Sequence, residues 1–115
     1  MYTLYYAPGA ASMAVHWLLI ELDLRHELSL VDTAADAQKH PAYLALNPNG
    51  VVPTLVTDGV AHYESATLLA WLADAHPHAG LAAAQDAPRR ADYLQWMFHL
   101  ANTVRPLFRQ WWYPH

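Results

Sequence analysis

Cysteine is missing from all 115 residues, so the chain can form no disulfide and supply no protein thiolate, whether as nucleophile or as metal ligand. Charge is scarce as well. Asp, Glu, Lys and Arg make up 14% of the residues and leave a net charge of −4, and the six cations form no stripe, so no footprint for nucleic acid is present. Long apolar runs are lacking: Met13 to Ile20 falls well short of the roughly 20 residues that span a bilayer. No basic leader precedes an apolar core at the N-terminus, and a cytoplasmic location with no membrane partner is expected. The eight histidines are scattered, with only His76-Pro77-His78 close together and no third ligand in register, so no metal site is expected. There is no internal repeat. What abounds is apolar surface. A hydrophobic content of 55% in a chain the size of one ordinary domain argues against disorder, and it exceeds what a small domain can hide by itself.

Pattern along the chain predicts a small α/β domain. Tyr2 to Tyr6 is rich in strand formers and stops at the breakers Ala7-Pro8-Gly9. Ser12 is a good N-cap for a helix from about Met13 to Leu24, whose apolar residues fall into two sets: Met13, Trp17, Ile20 and Leu24, and Val15, Leu18, Leu19 and Leu22. Such a helix needs cover on both faces. His26 to Val31 alternates as a second strand, Thr33 to Lys39 is polar, and Pro41 to Leu46 reads as a short helix with proline in its first turn. A third strand starts at Pro53, and Thr57-Asp58-Gly59 turns it into an antiparallel neighbour, Val60 to Tyr63. A helix from Ser65 to about Ala75 ends at His76-Pro77. Residues 77–88 read as a linker, and a long helix begins near Arg89, with Tyr93, Met97, Leu100, Val104, Leu107 and Trp111 at three- and four-residue steps and a kink expected from Pro106.

Two segments carry chemistry. Asn47-Pro48-Asn49-Gly50 has the residue types of a tight turn, and Val51-Val52 then runs into a proline at the head of an apolar strand. A cis bond before Pro53 is the economical reading; it would leave the amide and carbonyl of Val52 free to pair with an extended ligand. About a dozen residues on, Glu64-Ser65 opens an apolar helix whose free N–H groups and hydroxyl would meet a carboxylate.

From Tyr2 to about His76 the chain resembles the N-terminal domain of the glutathione transferase family, and bacterial-type members most. The matching stretches are Tyr5-Tyr6-Ala7-Pro8-Gly9-Ala10-Ala11-Ser12, Asn47 through Val56, and Glu64-Ser65-Ala66-Thr67-Leu68-Leu69-Ala70-Trp71-Leu72. The resemblance implies a thioredoxin-like βαβ-α-ββα domain over residues 1–76, a linker over 77–88, and the first helix of a truncated or partial all-helical domain over 89–115. It implies a cytoplasmic detoxification enzyme that joins the glutathione thiolate to a small electrophilic, apolar compound, with glutathione as co-substrate and no metal. The alternative on the same fold is a non-catalytic glutathione-binding or protein-interaction module. A thiol oxidoreductase is disfavoured by the absence of cysteine.

By the same resemblance, Ser65 holds the γ-glutamyl carboxylate, Glu64 accepts from the amino group, and Val52, ahead of Pro53, pairs with the cysteinyl backbone. The glycyl carboxylate falls to Lys39, with His40 and Gln38 also available. For activation of the sulfur, the position where bacterial relatives often carry cysteine aligns with Ala11; the hydroxyl candidates are Ser12 first, Tyr6 second and Tyr5 third. Tyr5 and Tyr6 point to opposite faces of a strand, so at most one of them reaches the site. Family members pair through the third helix and the first long helix of the second domain, which here carries Trp96, Phe98, Phe108 and Trp112 besides its stripe. A homodimer is therefore expected, while the terminal aromatics Trp111-Trp112-Tyr113 have little in the chain to pack against.

Overall fold

Residues 1–112 are described by a computed structural model, Trp112 through its backbone alone. Tyr113 and His115 lie outside the described residues. The chain forms two compact units, Met1–Leu72 and the residues from Ala73 on. The first contains β1 (Tyr2–Tyr6), α1 (Ser12–Glu21), β2 (His26–Leu30), α2 (Pro41–Leu44), β3 (Thr54–Thr57), β4 (Val60–Tyr63) and most of α3 (Ser65–Ala75). Two 3-10 turns, Thr33–Ala35 and Ala37–Lys39, fill the polar stretch between β2 and α2. The strands form one sheet in the order β2-β1-β3-β4, with β1 parallel to β2 and both other pairings antiparallel. That is the thioredoxin-like βαβ-α-ββα order.

Alternation along β1 assigns the two faces of the sheet. Leu4 lies opposite Leu55 of β3, and both are wholly buried with Val15 and Leu19 of α1 and Leu68 and Leu72 of α3. Tyr2 and Tyr6, two residues either side of Leu4, pack against the same cluster. Tyr5 points the other way; its ring lies 5.8 Å from that of Tyr43 on α2. Helices α1 and α3 thus cover one face and α2 the other. Of the two apolar sets on α1, Val15 and Leu19 are sealed in the core, whereas Met13, Trp17 and Ile20 form an exposed stripe.

Several boundaries differ from the sequence reading, each for a local reason. Helix α1 ends at Glu21 and not at Leu24, because Asp23 adopts a left-handed conformation (φ 53°) and closes the helix. Asp23 N–H donates to Ile20 O and Leu24 N–H reaches back to Leu19 O, the paired bonds of a Schellman ending, with Leu24 folded onto the core beside Leu19. No glycine announces that ending. The short helix α2 stops at Leu44, and β3 starts at Thr54, one residue after the proline that has no N–H to give a ladder.

In the second unit, the end of α3 is followed by a 3-10 turn at Pro77–Ala79, then α4 (Arg90–His99), a π-helical turn (Leu100–Val104) and α5 (Arg105–Trp112). The Arg90 guanidinium donates to Asp74 Oδ1 and Oδ2 at 2.9 and 3.2 Å and to Ala83 O at 2.7 Å, and it lies 5.2 Å from the centre of the Tyr93 ring. One side chain thereby ties α3's end, the connector and α4 together. The hydrogen bonds from Arg90 hold the Asp74 carboxyl below its ordinary pKa. Pro106 acts differently from the expected kink. In an unbroken α-helix its ring would clash with the carbonyl of Asn102, four residues earlier. The chain instead widens there, and Arg105 N–H bonds Leu100 O five residues back. No helix among the described residues is long and apolar enough to cross a membrane.

Candidate functional site

The segment between α2 and β3 is fixed by buried polar groups. Gly50 N–H donates to Asn47 O at 3.0 Å and Asn49 N–H to Asn47 Oδ1 at 3.0 Å, so the asparagine closes the turn with both main chain and side chain. Asn47 Oδ1 is thus an acceptor, which leaves its Nδ2 to donate to Val51 O at 2.9 Å and to Thr54 Oγ1 at 3.2 Å. The Tyr43 hydroxyl also donates to Val51 O, at 2.6 Å. Having spent its only proton, the phenol must accept at its 2.7 Å contact with Thr54 Oγ1, so the threonine hydroxyl is the donor there. Val51 O, Tyr43, Thr54 and Asn47 form a closed ring in which each proton of the two hydroxyls and the amide has an acceptor. Burial pushes the Tyr43 pKa above its ordinary 10.0, partly offset by the bonds from Thr54 and Asn47. The ring lies directly ahead of Val52, which is half-buried, and of Pro53, which is buried and joined to Val52 by a cis peptide bond.

Sequence reasoning took Asn47 only as a turn residue and missed Tyr43 and Thr54. The signal was available: Tyr43 and Asn47 are four apart, one above the other on a helical turn, and Thr54 alternates with the core residue Leu55 and so shares the face of Tyr5.

Other expected site residues gather around this loop to different degrees. Gly50, at φ 63°, is buried against residues 38–44; a Cβ there would come within 2.8 Å of Lys39 Nζ and 3.2 Å of Gln38 O. The absence of a side chain at Gly50 therefore lets the Lys39 ammonium lie against the loop, three residues before Pro53. Gln38 Oε1 is buried and unpartnered. Glu64 is exposed at the start of α3 and takes φ 77°, a region costing a side-chain residue about 1 to 3 kcal/mol. Its carbonyl accepts from Leu68 N–H at 3.0 Å, so it stands where a helix cap stands, with half-buried Ser65 the first helical residue.

The three hydroxyl candidates part ways. Ser12 is not the N-cap of α1 as expected; Ala11 occupies that position and Ser12 is the first helical residue, 1% exposed. Its hydroxyl turns back to β1's end, accepting from Ala7 N–H at 3.1 Å and donating to Ala7 O at 3.2 Å. The buried main-chain N–H of Ala7 competes successfully for it, because leaving that donor unpaired is costly, whereas Ala7 O also accepts from Ala10 N–H at 3.2 Å. Tyr6 packs on the core side of the sheet and Tyr5 on the Tyr43 side.

Two outcomes follow from this geometry. Ser12→Ala should lower the unfolding free energy by about 1 to 3 kcal/mol in urea titrations, the cost of stranding Ala7's buried N–H. Tyr43 supplies the pH dependence. Its folded pKa exceeds the unfolded value of 10.0, so above that value the unfolded chain loses this proton first. The stability it contributes is complete below the unfolded pKa and is lost as pH rises through the folded one. Thermal melts from pH 8 to 11 should show a decline that is shallower in Tyr43→Phe.

Residues 10–75 match the glutathione S-transferase N-terminal domain family. Glutathione S-transferase GST-4.5 of Xanthomonas campestris is 40% identical over 92% of this chain and 51% of its own length. A disulfide-bond oxidoreductase of Escherichia coli, YfcG, is 30% identical over 96% of the chain and 53% of its own. A glutathione transferase homolog from Sulfitobacter, solved with bound glutathione, superposes with a TM-score of 0.83 at 38% identity, covering 91% of this chain and 50% of that one. The chain spans about half the length of the relatives it matches. With the family match covering more than half of its residues and the sheet order, loop and helix start in the places the resemblance implied, the chain belongs to the glutathione transferase family.

Proposed function

We propose that the chain carries the glutathione-binding part of a cytoplasmic glutathione transferase. The reaction is attack of the glutathione thiolate on an electrophilic carbon of a small, apolar compound: an S–C bond forms, the leaving group departs with its electron pair, and the thiol proton passes to solvent. The observation that carries the reading is Glu64. It is an exposed residue held in a strained conformation at the mouth of a helix whose first amide and hydroxyl belong to Ser65. Strain kept at a helix start in this family is explained by a ligand: the γ-glutamyl carboxylate on Ser65 and the helix N-terminus, the ammonium on Glu64. Val52 pairs with the cysteinyl backbone, and Lys39, beside Gly50, takes the glycyl carboxylate. The domain boundaries follow the same reading: residues 1–76 bind glutathione, 77–88 link, and the helices from residue 89 begin the all-helical domain. Because the Ser12 hydroxyl is already committed to Ala7, its use on the thiolate requires giving up one of those bonds; Tyr6 and Tyr5 supply the other hydroxyls.

A second reading has one observation behind it, the similarity to a protein named as a disulfide-bond oxidoreductase. With no cysteine in this chain, both reducing sulfurs must then come from two glutathiones, which end as glutathione disulfide while a substrate disulfide is reduced to two thiols. Two copies of the chain pair about a twofold axis through α3 and the helix from Arg90. Trp96, Phe98, Leu100, Leu107, Phe108 and Trp111 are exposed on the helical segments from residue 90 on and need cover.

Retention on immobilised glutathione, followed by turnover of an electrophile and of a small disulfide, tests the reading. Retention without either turnover leaves a binding module. Ser65→Ala should weaken glutathione binding about ten- to a hundredfold by calorimetry, since a hydrogen bond to a charged group contributes roughly 1.5 to 3 kcal/mol; unchanged affinity removes the carboxylate site. Light scattering at micromolar concentration should give a dimer or larger, and a clean monomer near 12.9 kDa rejects the pairing.

A further inference from the structure

The closed ring of hydrogen bonds at Val51 has no part in a generic fold argument: the core is made by Leu4, Leu19, Leu55 and Leu68 on the opposite face of the sheet. The ring ties together three chain segments, α2 through Tyr43, the turn through Asn47, and β3 through Thr54; Tyr43 and Asn47 converge on one main-chain oxygen and Thr54 braces both of them. That oxygen belongs to the residue immediately before Val52. Holding the carbonyl of Val51 fixes the plane of the Val51-Val52 peptide, because the carbonyl and the following N–H share it. The Val52 N–H is therefore oriented by groups that never touch a ligand. The same α2 segment is preceded by Lys39, whose ammonium lies against Gly50, so the ring also sets the distance from that cation to Val52.

We propose that Tyr43 is a positioning residue for glutathione, acting through Thr54, Asn47 and the Val51 carbonyl to aim the Val52 amide. The inference rests on the glutathione reading above. Its chemistry is specific to a hydroxyl pair: Tyr43 must donate to Val51 O and accept from Thr54, so either hydroxyl's loss opens the ring at the same place. In Tyr43→Phe, the Thr54 proton has no acceptor and Val51 O keeps one bond in place of two. In Thr54→Val, of nearly equal shape, Tyr43 loses its donor and Asn47 one acceptor. Thr54→Ser keeps the ring.

The test uses the full chain and two readouts. In the absence of glutathione, exchange of the hydrogen-bonded loop amides of Asn49 and Gly50 should speed up about tenfold in Tyr43→Phe and Thr54→Val, with the core-strand amides of Leu4 and Leu55 unchanged. By calorimetry, each variant should bind glutathione about tenfold more weakly, the double variant should lose little more than either, and Thr54→Ser should stay within about threefold of the unsubstituted chain. A purely structural role predicts a lower melting temperature with exchange at Asn49 and Gly50 accelerated no more than in the core strands and with affinity intact, and that result overturns the proposal. Failure of the unsubstituted chain to bind glutathione overturns the functional reading, and the exchange comparison then decides by itself whether the ring holds the loop ahead of Val52.

Discussion

Two hydrogen bonds converge on the carbonyl oxygen of Val51, from the Tyr43 phenol and the Asn47 amide, and the arrangement of the candidate site depends on them. A four-residue helix such as α2 is too short to stand on its own propensity. It persists because Pro41 presets its first turn and because Tyr43, sunk between the sheet and the loop, anchors it. The anchoring is reciprocal. Without α2 the loop carbonyl keeps only the Asn47 amide, and without the loop the phenol loses the acceptor of its proton. An apolar contact would hold the two at about the right distance but would leave the peptide plane free to rotate. A ring of directional bonds removes that freedom, which is why polar groups are worth burying at this point and nowhere in the leucine core.

The division of labour between the two sheet faces follows from alternation in a single strand. Leu4 and Leu55 commit one face to α1 and α3, where every contact is apolar. Tyr5 and Thr54 commit the other to α2 and the loop. Glu64 bears its left-handed conformation at the exposed start of α3, where the chain leaves β4 and its carbonyl accepts from the N–H of the core residue Leu68. On the proposed reading, that strain answers to what Glu64 faces, a ligand at the helix start.

How far the sequence could be read depended on whether a feature was local. Strands β1 and β4 and helix α3 were legible because alternation, an Asp-Gly turn and a Glu-Ser start are written in neighbouring residues. The end of α1 was not, since Asp23 does the work usually given to glycine and only its φ reveals it. The role of Ser12 was misread as a cap because a serine before an apolar run is ambiguous: its hydroxyl can turn forward to the helix or backward to the strand, and the otherwise unmet N–H of Ala7 decides. Tyr43 and Thr54 were missed for the same reason on a larger scale, eleven residues apart and joined only when the loop closes. Pro106 was legible as an interruption of the long helix, but not the form it takes, a π-helical turn that relieves the proline clash by widening the ladder.

The lack of cysteine sharpens what the loop must do. On the proposed reading, the only reactive sulfur is the ligand's own, so the protein contributes orientation and fixed dipoles and no nucleophile of its own. Ser12 has spent its hydroxyl on Ala7, and the two tyrosines of β1 face opposite sides of the sheet, which leaves main-chain groups as the most firmly placed partners for the ligand. Among these, the Val52 amide is fixed by a ring of bonds and not by contact with the ligand itself. A site built this way is organised before anything binds, and the cost of orienting its amide is met on folding, by the same hydrogen bonds that hold α2 to the sheet.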